Sequence, residues 1–565
     1  MLQLKVLSIT KLALLGLAVK IKLLFLSLSL SVASGVTLAA GIGEFNESTN
    51  LAKLISQNRN LCNTQLRCGS KFTNQFYASN KNRLIWSQNG KVTAEAEAML
   101  TILQNAYQDG LQPNEYHVRE LEILFDQVEE SAETGQSPPA QVLVNLDLTL
   151  SDGYLLYLDN LENGRIKPQQ AYSNWKISYS PRNVLAQLQT AVKTASLVST
   201  ARKAEPQLPE YQALKKQLAL YQQIAESGGW QIIPAGKNLQ VGDSGARVGL
   251  LQQRLALTQN YSIAESSNSL AKFDNLTKLA VIEFQIENAL SATGVVDNIT
   301  LSALNQSVNS RLKLIQLNMD RLRWLPINLG SRYLVVNIPS YSLYVSENGK
   351  KTLQMPVIVG GGGENKTCLV NSKITTLELN PYWGIPNRIA SKEYLTKIKR
   401  DPAYLAKHNI RMYSNSTNEE IDPATVAWES INQTKFPYFL KQDPGKGNAL
   451  GKIKFIFSND CGIYLHDTSN PNLFGRNARS LSHGCVRVGK PLVLADYLLA
   501  NNASWNDKRL NTAISSGEHN WVKLANPLPI YIVYQTVWVN ADGRLIFKRD
   551  IYSADNKDFP IALIQ

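Results

Sequence analysis

The 565-residue chain is 44% hydrophobic and 18% charged, proportions that exclude wholesale disorder and, at this length, a single hydrophobic core. Three or four domains are expected. The formal charge of +13 comes without a dense Lys/Arg stripe interleaved with aromatics and without zinc-finger spacing, so nucleic acid is not an expected partner.

At the amino terminus Lys5, Lys11, Lys20 and Lys22 precede an uncharged run from Leu23 to Ile42 rich in Leu, Ser and Ala. Basic residues before an apolar run mark a secretory leader, so residues 1–43 read as an export segment. Small residues at Ala33-Ser34-Gly35 and Thr37-Leu38-Ala39 suit a peptidase, and the run also suffices to span a bilayer. A cleaved peptide and an inner-membrane signal anchor both fit. Cys62 and Cys68 are close enough to close a small loop, Cys368 and Cys461 are unassigned, and Cys485 is expected to stay reduced.

After a polar stretch from Glu44 to about Asn82, helical periodicity covers Ala94 to Tyr107, His117 to Glu133, Ala140 to Leu161 and Val184 to Ala195, with Ser137-Pro138-Pro139 as a breaker. This helical region, taken as residues 44–236, shows no catalytic motif. His117 reads as a structural histidine, and Tyr154, Tyr157 and Trp175 as core aromatics. A second unit over 237–308 opens with Leu239-Gln240-Val241-Gly242-Asp243-Ser244-Gly245 and places Val248, Leu251 and Leu255 on one helix face. Phe273-Asp274, Thr277, Ala280-Val281 and Phe284-Gln285 repeat the pattern, and Thr293-Gly294-Val295-Val296-Asp297 leads into a last helix through Leu304. The unit resembles the three-helix peptidoglycan-binding domain. Within a connecting segment at 309–330, Leu312, Ile315, Met319 and Leu322 make an apolar stripe, so Arg311 to Trp324 reads as a helix that Pro326 stops.

From residue 331 to about 540 the texture becomes alternating strands: Tyr333 to Ile338, Ser342 to Val345 and Leu353 to Val359, with Asn348-Gly349 as a hairpin signal. Gly360 to Gly363 lacks the lysine-serine/threonine ending of a phosphate loop and reads as an inter-strand loop. Residues 387 to about 441 interrupt the strands with helical and polar sequence, which reads as an inserted helical lid. Residues 541–565 add a final strand, Arg544 to Ile551, and a tail.

The reactive residues gather near the end of the β-rich region. His466 lies in Tyr464-Leu465-His466-Asp467-Thr468, and nineteen residues later Cys485 lies in Ser482-His483-Gly484-Cys485-Val486-Arg487. Attack on an amide needs a thiolate, and a free thiol is mostly protonated at neutral pH unless an imidazole or another cation stands beside it. One of the two histidines is therefore expected against Cys485. Gly484 permits a sharp turn and close approach of a substrate carbonyl, so the amides of Gly484 and Cys485 are oxyanion-hole candidates. Structural zinc usually takes four ligands with paired short spacings, a pattern these residues lack, and no metal is expected.

Together with Gln442-Asp443-Pro444-Gly445-Lys446-Gly447-Asn448-Ala449-Leu450-Gly451-Lys452-Ile453-Lys454-Phe455, these motifs resemble the signature of the peptidoglycan L,D-transpeptidases. The helical region resembles the scaffold segment of the longer Gram-negative members. Lys366-Thr367-Cys368 departs from the family's usual lysine-threonine-proline. The resemblance implies a multidomain α+β protein with a helical scaffold, a peptidoglycan-binding-like domain and a β-rich catalytic domain carrying the lid. It further implies that Cys485 attacks the L,D amide of a tetrapeptide stem, releases D-alanine and passes the acyl group to a diamino acid of another stem, forming 3-3 cross-links. His466 is then the base, oriented by the backbone carbonyl of Asp467. Tyr464, Ser482, His483, Arg487 and Trp383 are expected around the substrate, with Arg487 also suited to holding the turn. Peptidoglycan stems and glycan are the expected partners, the periplasm the expected location, and no cofactor is implied. Carbapenem-type β-lactams are expected to acylate Cys485. L,D-carboxypeptidase, cross-link hydrolase and lipoprotein-attachment activities share the same acyl-enzyme, and a non-catalytic wall-binding protein is the alternative of a different class.

Overall fold

A computed structural model describes residues 70–168, 181–258, 271–500, 502 and 504–555. The leader, Cys62, Cys68 and Trp175 lie outside the described residues. Among the described residues, no helix is long and apolar enough to cross a membrane.

The amino-terminal part is helical, as its periodicity predicts. Helices run over Ser70–Ser79, Ala94–Gln104, Val118–Glu133, Ala140–Asn163, Val184–Lys193 and Leu197–Lys203. The first lies in the stretch read as polar. Its Phe76 and Tyr77 are nevertheless buried, and Tyr77 Oη donates to the Asp147 carbonyl (3.0 Å) and approaches Ser151 Oγ (2.8 Å). The Ala140–Asn163 helix is buried on nearly every side because the other helices surround it. Gly153 lets it pass the Tyr116 carbonyl, which a Cβ would overlap.

In the next unit, helices Ala246–Leu257, Asn275–Glu287 and Asn298–Leu304 enclose a core of Val248, Leu251, Leu255, Phe273, Val281 and Leu304. Asp274 and Asp297 cap the second and third helices by accepting from the N–H groups of Thr277 and Thr300, both at 2.8 Å, contacts worth about 1 kcal/mol each.

Two helices carry the chain onto the β-rich region. Helix α1 (Pro209–Glu226) packs against α2 (Val308–Leu322), the expected connecting helix. Both bury Leu214, Leu218, Ile315 and Met319 against Tyr333, Val335, Tyr531 and Val533 of the sheet. Arg323, just past α2, donates to Tyr211 Oη (2.8 Å) and to the Asp109 carbonyl (2.5 Å), tying the sheet's support to the helical scaffold.

The β-rich region is built on strands β1 (Arg332–Asn337), β2 (Ser342–Glu347), β3 (Lys350–Gly360), β4 (Val370–Leu379), β5 (Trp383–Ile385), β6 (Ile410–Ser414), β7 (Tyr438–Gln442), β8 (Ile453–Phe457), β9 (Leu465–His466), β10 (Ser480–Ser482), β11 (Val486–Val488), β12 (Asn520–Val533), β13 (Val537–Val539) and β14 (Leu545–Phe547). Nine of them form one sheet in the order β10-β3-β11-β9-β8-β4-β12-β1-β2, and β2 also pairs with β3, so the sheet closes on itself. Its interior holds Leu334, Val345, Val357, Leu377, Phe455, Leu465, Val486 and Ile530. Burying each such side chain contributes roughly 1.5–3 kcal/mol. Asn348 and Gly349 turn β2 into β3 with φ of 48° and 79°, the paired positive φ that the Asn-Gly signal predicts. The final strand is shorter than expected and forms a hairpin with β13.

The expected helical lid is a mixed unit. Strands β5, β6 and β7 form a separate antiparallel sheet in the order β5-β7-β6. Helical turns over Asn387–Arg400 pack Ile389, Leu395 and Ile398 on this sheet with Met412, Trp428 and Leu440. The insertion thus has its own core, and it begins at Trp383 and ends at Gln442 rather than at the predicted 387 and 441.

Candidate active site

Strand register brings the segments of His466 and Cys485 side by side. Strands β9 and β11 are parallel neighbours with Leu465 opposite Val486 and His466 opposite Arg487. Leu465 and Val486 point into the core, so by the period-two alternation of strands His466 and Arg487 face outward. Cys485 immediately precedes β11 beside Tyr464, whose carbonyl accepts from the Val486 N–H at 3.1 Å. On the other flank of β9, Lys454 stands opposite His466, and Glu378 opposite Lys454. One outer face of the sheet therefore carries the row Glu378, Lys454, His466 and Arg487, with the Cys485 thiol beside it.

His466 is buried at 5% exposure, and its Nδ1 donates to the Asp467 carbonyl at 2.5 Å. That bond fixes the neutral tautomer with the lone pair on Nε2, the form that accepts a proton. Burial, together with the positive charges of Arg487 and Lys454, lowers its pKa to about 3. The Asp467 carboxylate is turned away, accepting from the N–H groups of Lys452 (2.8 Å) and Thr468 (2.7 Å). Gly451 makes room for it, since a Cβ there would overlap that carboxylate.

Cys485 is a free, partly buried thiol. Burial raises its pKa, against the opposing pull of Tyr464 hydrogen bonds and of Lys454 and Arg487. Both shifts favour the neutral form of each side chain, and desolvation is the first cause of each. The raised value sets the sign of the pH dependence, because the thiolate fraction near neutrality is smaller than for a free cysteine and grows about tenfold per pH unit. Alkylation of Cys485 by iodoacetamide is expected to rise steadily from pH 6 to pH 8.5. A plateau already reached below pH 7 would show an ion pair instead.

Gly484 lies between the two parts of the motif with φ of 123°, a conformation side chains rarely adopt. Ser482 Oγ donates to the Cys485 carbonyl (2.5 Å) and accepts from the Gly484 N–H (3.2 Å), so this serine holds the turn. The Gly484 amide, an expected oxyanion donor, is engaged inside the turn. Arg487 Nε is buried without a partner among the described residues. Tyr464 stacks edge-on to His466 at 5.7 Å and carries Lys454 Nζ over its ring at 4.4 Å.

His483 does not turn toward the thiol. Its Nε2 meets Glu393 Oε1 at 2.5 Å. Glu393 sits in a π-helical turn, Ala390–Tyr394, within the insertion's first helix, a distortion that re-aims side chains. Arg388 of the same segment donates to Asn365 Oδ1 at 2.6 Å. The insertion thus reaches both sides of the nucleophile turn. Trp383 lies in β5, partly buried against Tyr394 and the insertion's core. Among the described residues no group of three or more His, Cys, Asp or Glu gathers to hold a metal ion.

Cys368 and Cys461, which sequence alone does not pair, form a disulfide. The bond joins the loop after β3 to the turn before Tyr464.

Residues 331–513 match the L,D-transpeptidase catalytic domain family. The chain carries an L,D-transpeptidase catalytic domain. Beside this L,D-transpeptidase domain, residues 71–218 match the scaffold domain family and residues 244–304 a peptidoglycan binding domain family. A curated Haemophilus influenzae protein bearing the name L,D-transpeptidase is 38% identical over 243 residues, 43% of this chain and 48% of that protein. The match therefore spans about half the length of that relative. Among solved structures, an L,D-transpeptidase from Xylanimonas cellulosilytica is 16% identical, covering 53% of this chain and 98% of its own, with a TM-score of 0.15. One from Stackebrandtia nassauensis is 14% identical, covering 52% and 94%, with a TM-score of 0.19. At these TM-scores neither bears on the arrangement of this chain.

Proposed function

We propose that this chain is an extracytoplasmic peptidoglycan L,D-transpeptidase that forms 3-3 cross-links through a Cys485 acyl-enzyme. The observation that carries the reading is a free Cys485 at the start of the strand that pairs in parallel with that of His466, whose Nδ1 is fixed on the Asp467 carbonyl. With both groups neutral, the thiol proton passes to His466 Nε2 as sulfur attacks the amide carbonyl between the third and fourth stem residues. The Cys485 N–H faces the charge that develops on oxygen. Collapse breaks the C–N bond, His466 returns the proton to the departing amine, and D-alanine leaves a thioester. The side-chain amine of a second stem then attacks, its proton passes to His466, and the thiol is restored.

The insertion favours the transfer reading, because it bridges to His483 and Asn365 on either side of the nucleophile, and a cover that kept water from a thioester would leave the amine as the acceptor. The matched peptidoglycan binding domain supports the polymer as the partner and, with it, a site of action outside the cytoplasm.

The test incubates the full chain with a disaccharide-tetrapeptide and follows products and intact protein by mass spectrometry. A dimer lacking one D-alanine is expected. Tripeptide alone would make the enzyme a carboxypeptidase, and neither product nor adduct would sink the catalytic reading in favour of a wall-binding protein.

A further inference from the structure

The catalytic turn is held from behind by a part of the chain beyond the matched catalytic domain. The carbonyl of Gly484 accepts from Thr367 Oγ1 at 2.8 Å, and the same hydroxyl accepts from the Gly360 N–H at 2.8 Å. Gly361 N–H adds a bond to the Ser482 carbonyl at 2.9 Å. The loop from Gly360 to Thr367 therefore grips the nucleophile turn at two points. It folds back so tightly that a Cβ on Gly360 would overlap the Asn365 carbonyl and the Thr367 amide.

Such a loop needs a support of its own, and Tyr552 supplies it. Its hydroxyl donates to the Gly360 carbonyl at 2.7 Å and accepts from the Thr367 N–H at 3.1 Å, so one buried oxygen bridges the two ends of the loop. Lys366 Nζ donates to the Tyr552 carbonyl at 3.0 Å. Tyr552 is 3% exposed and stacks on Tyr534 of the segment after β12, with centroids 5.4 Å apart. Its own N–H donates to Tyr534 Oη at 2.8 Å, and Tyr534 Oη donates to Asp550 at 2.5 Å.

We propose that the segment from Asp550 to Tyr552 is a strap that positions the nucleophile, with Tyr552 acting through Thr367 on the Gly484–Cys485 turn. The substituent that matters is the Tyr552 hydroxyl, because both loop bonds end on it while the ring merely packs. Tyr552 touches no reacting atom and is a positioning residue. The inference rests on the catalytic reading above for its kinetic consequence, but its structural consequence is independent of substrate.

Tyr552→Phe keeps the ring stacked on Tyr534 and removes only the two loop bonds. The expected result is amide hydrogen exchange at least tenfold faster in residues 482–486 with the rest of the closed sheet unchanged. In turnover, kcat is expected to fall about tenfold or more with KM within twofold. Tyr497→Phe is the control: its hydroxyl bonds Arg332 at 2.6 Å elsewhere in the same domain, and kcat is expected to stay at the parent value. Unchanged exchange at 482–486 would overturn the proposal, as would exchange that rises uniformly along the sheet with kcat falling only in proportion to the folded fraction. If the parent chain turned over no substrate, the catalytic reading would fall while the exchange measurement still decided the strap.

Discussion

Cys485→Ala is expected to abolish turnover and leave the fold in place. Removing a covalent nucleophile lowers rates by up to the order of 10⁶-fold, because no neighbouring group inherits the attack. Here the candidates to inherit it are few. His466 has its Nδ1 bound to Asp467, and His483 is held on Glu393 away from the thiol. The fold is expected to survive because Cys485 is in no disulfide and the turn is fixed by groups the substitution leaves alone: Ser482 Oγ on the backbone, Thr367 on the Gly484 carbonyl, and the positive φ of Gly484. Intact mass after incubation with a carbapenem is the measurement. The parent chain should gain one adduct and the variant none, with melting temperatures that coincide. An adduct of equal yield in the variant would remove Cys485 from the mechanism.

Loss of the Cys368–Cys461 bond should be the largest stability change available to a side-chain substitution near the site. The cysteines are 93 residues apart in sequence, and closing a loop of that length lowers the entropy of the unfolded chain enough to stabilise the fold by about 4–5 kcal/mol in the chain-entropy model, with typical measured values of about 2–4 kcal/mol. Replacing both cysteines by alanine is expected to cost about 2–5 kcal/mol in urea unfolding followed by tryptophan fluorescence. Activity should drop as well, because Cys368 directly follows Thr367, which holds the Gly484 carbonyl. An unchanged urea midpoint would show that the bond contributes nothing to the folded domain.

The reactive pair was legible because its residues are rare: five histidines and five cysteines in the whole chain leave little room for a histidine, a cysteine and a glycine turn to coincide. The helical scaffold and the three-helix unit were legible through apolar spacing, and the hairpin through Asn348-Gly349. The protonation state was not, because it depends first on the burial of His466 and then on Arg487 and Lys454 arriving on either side of it by strand register, neither of which spacing encodes. Strands β5, β6 and β7 escaped notice because each is a few residues long and set in polar sequence, where alternation is too brief to separate from a turn. Glu393 and Tyr552 carried no local signal at all; their partners lie 90 residues or more away in sequence. For Thr367 and Gly451 a signal existed, in the lysine-threonine pair and in the glycine before Lys452, but it named no partner.

Strands β4 and β8 are antiparallel neighbours in the closed sheet, and the insertion is what joins them. In topological terms it is an overgrown hairpin loop. Trp383 and Gln442 pair at its neck, so the chain leaves and rejoins the domain at a single point. The length of the excursion is therefore invisible to the catalytic strands, whose register is set below the neck.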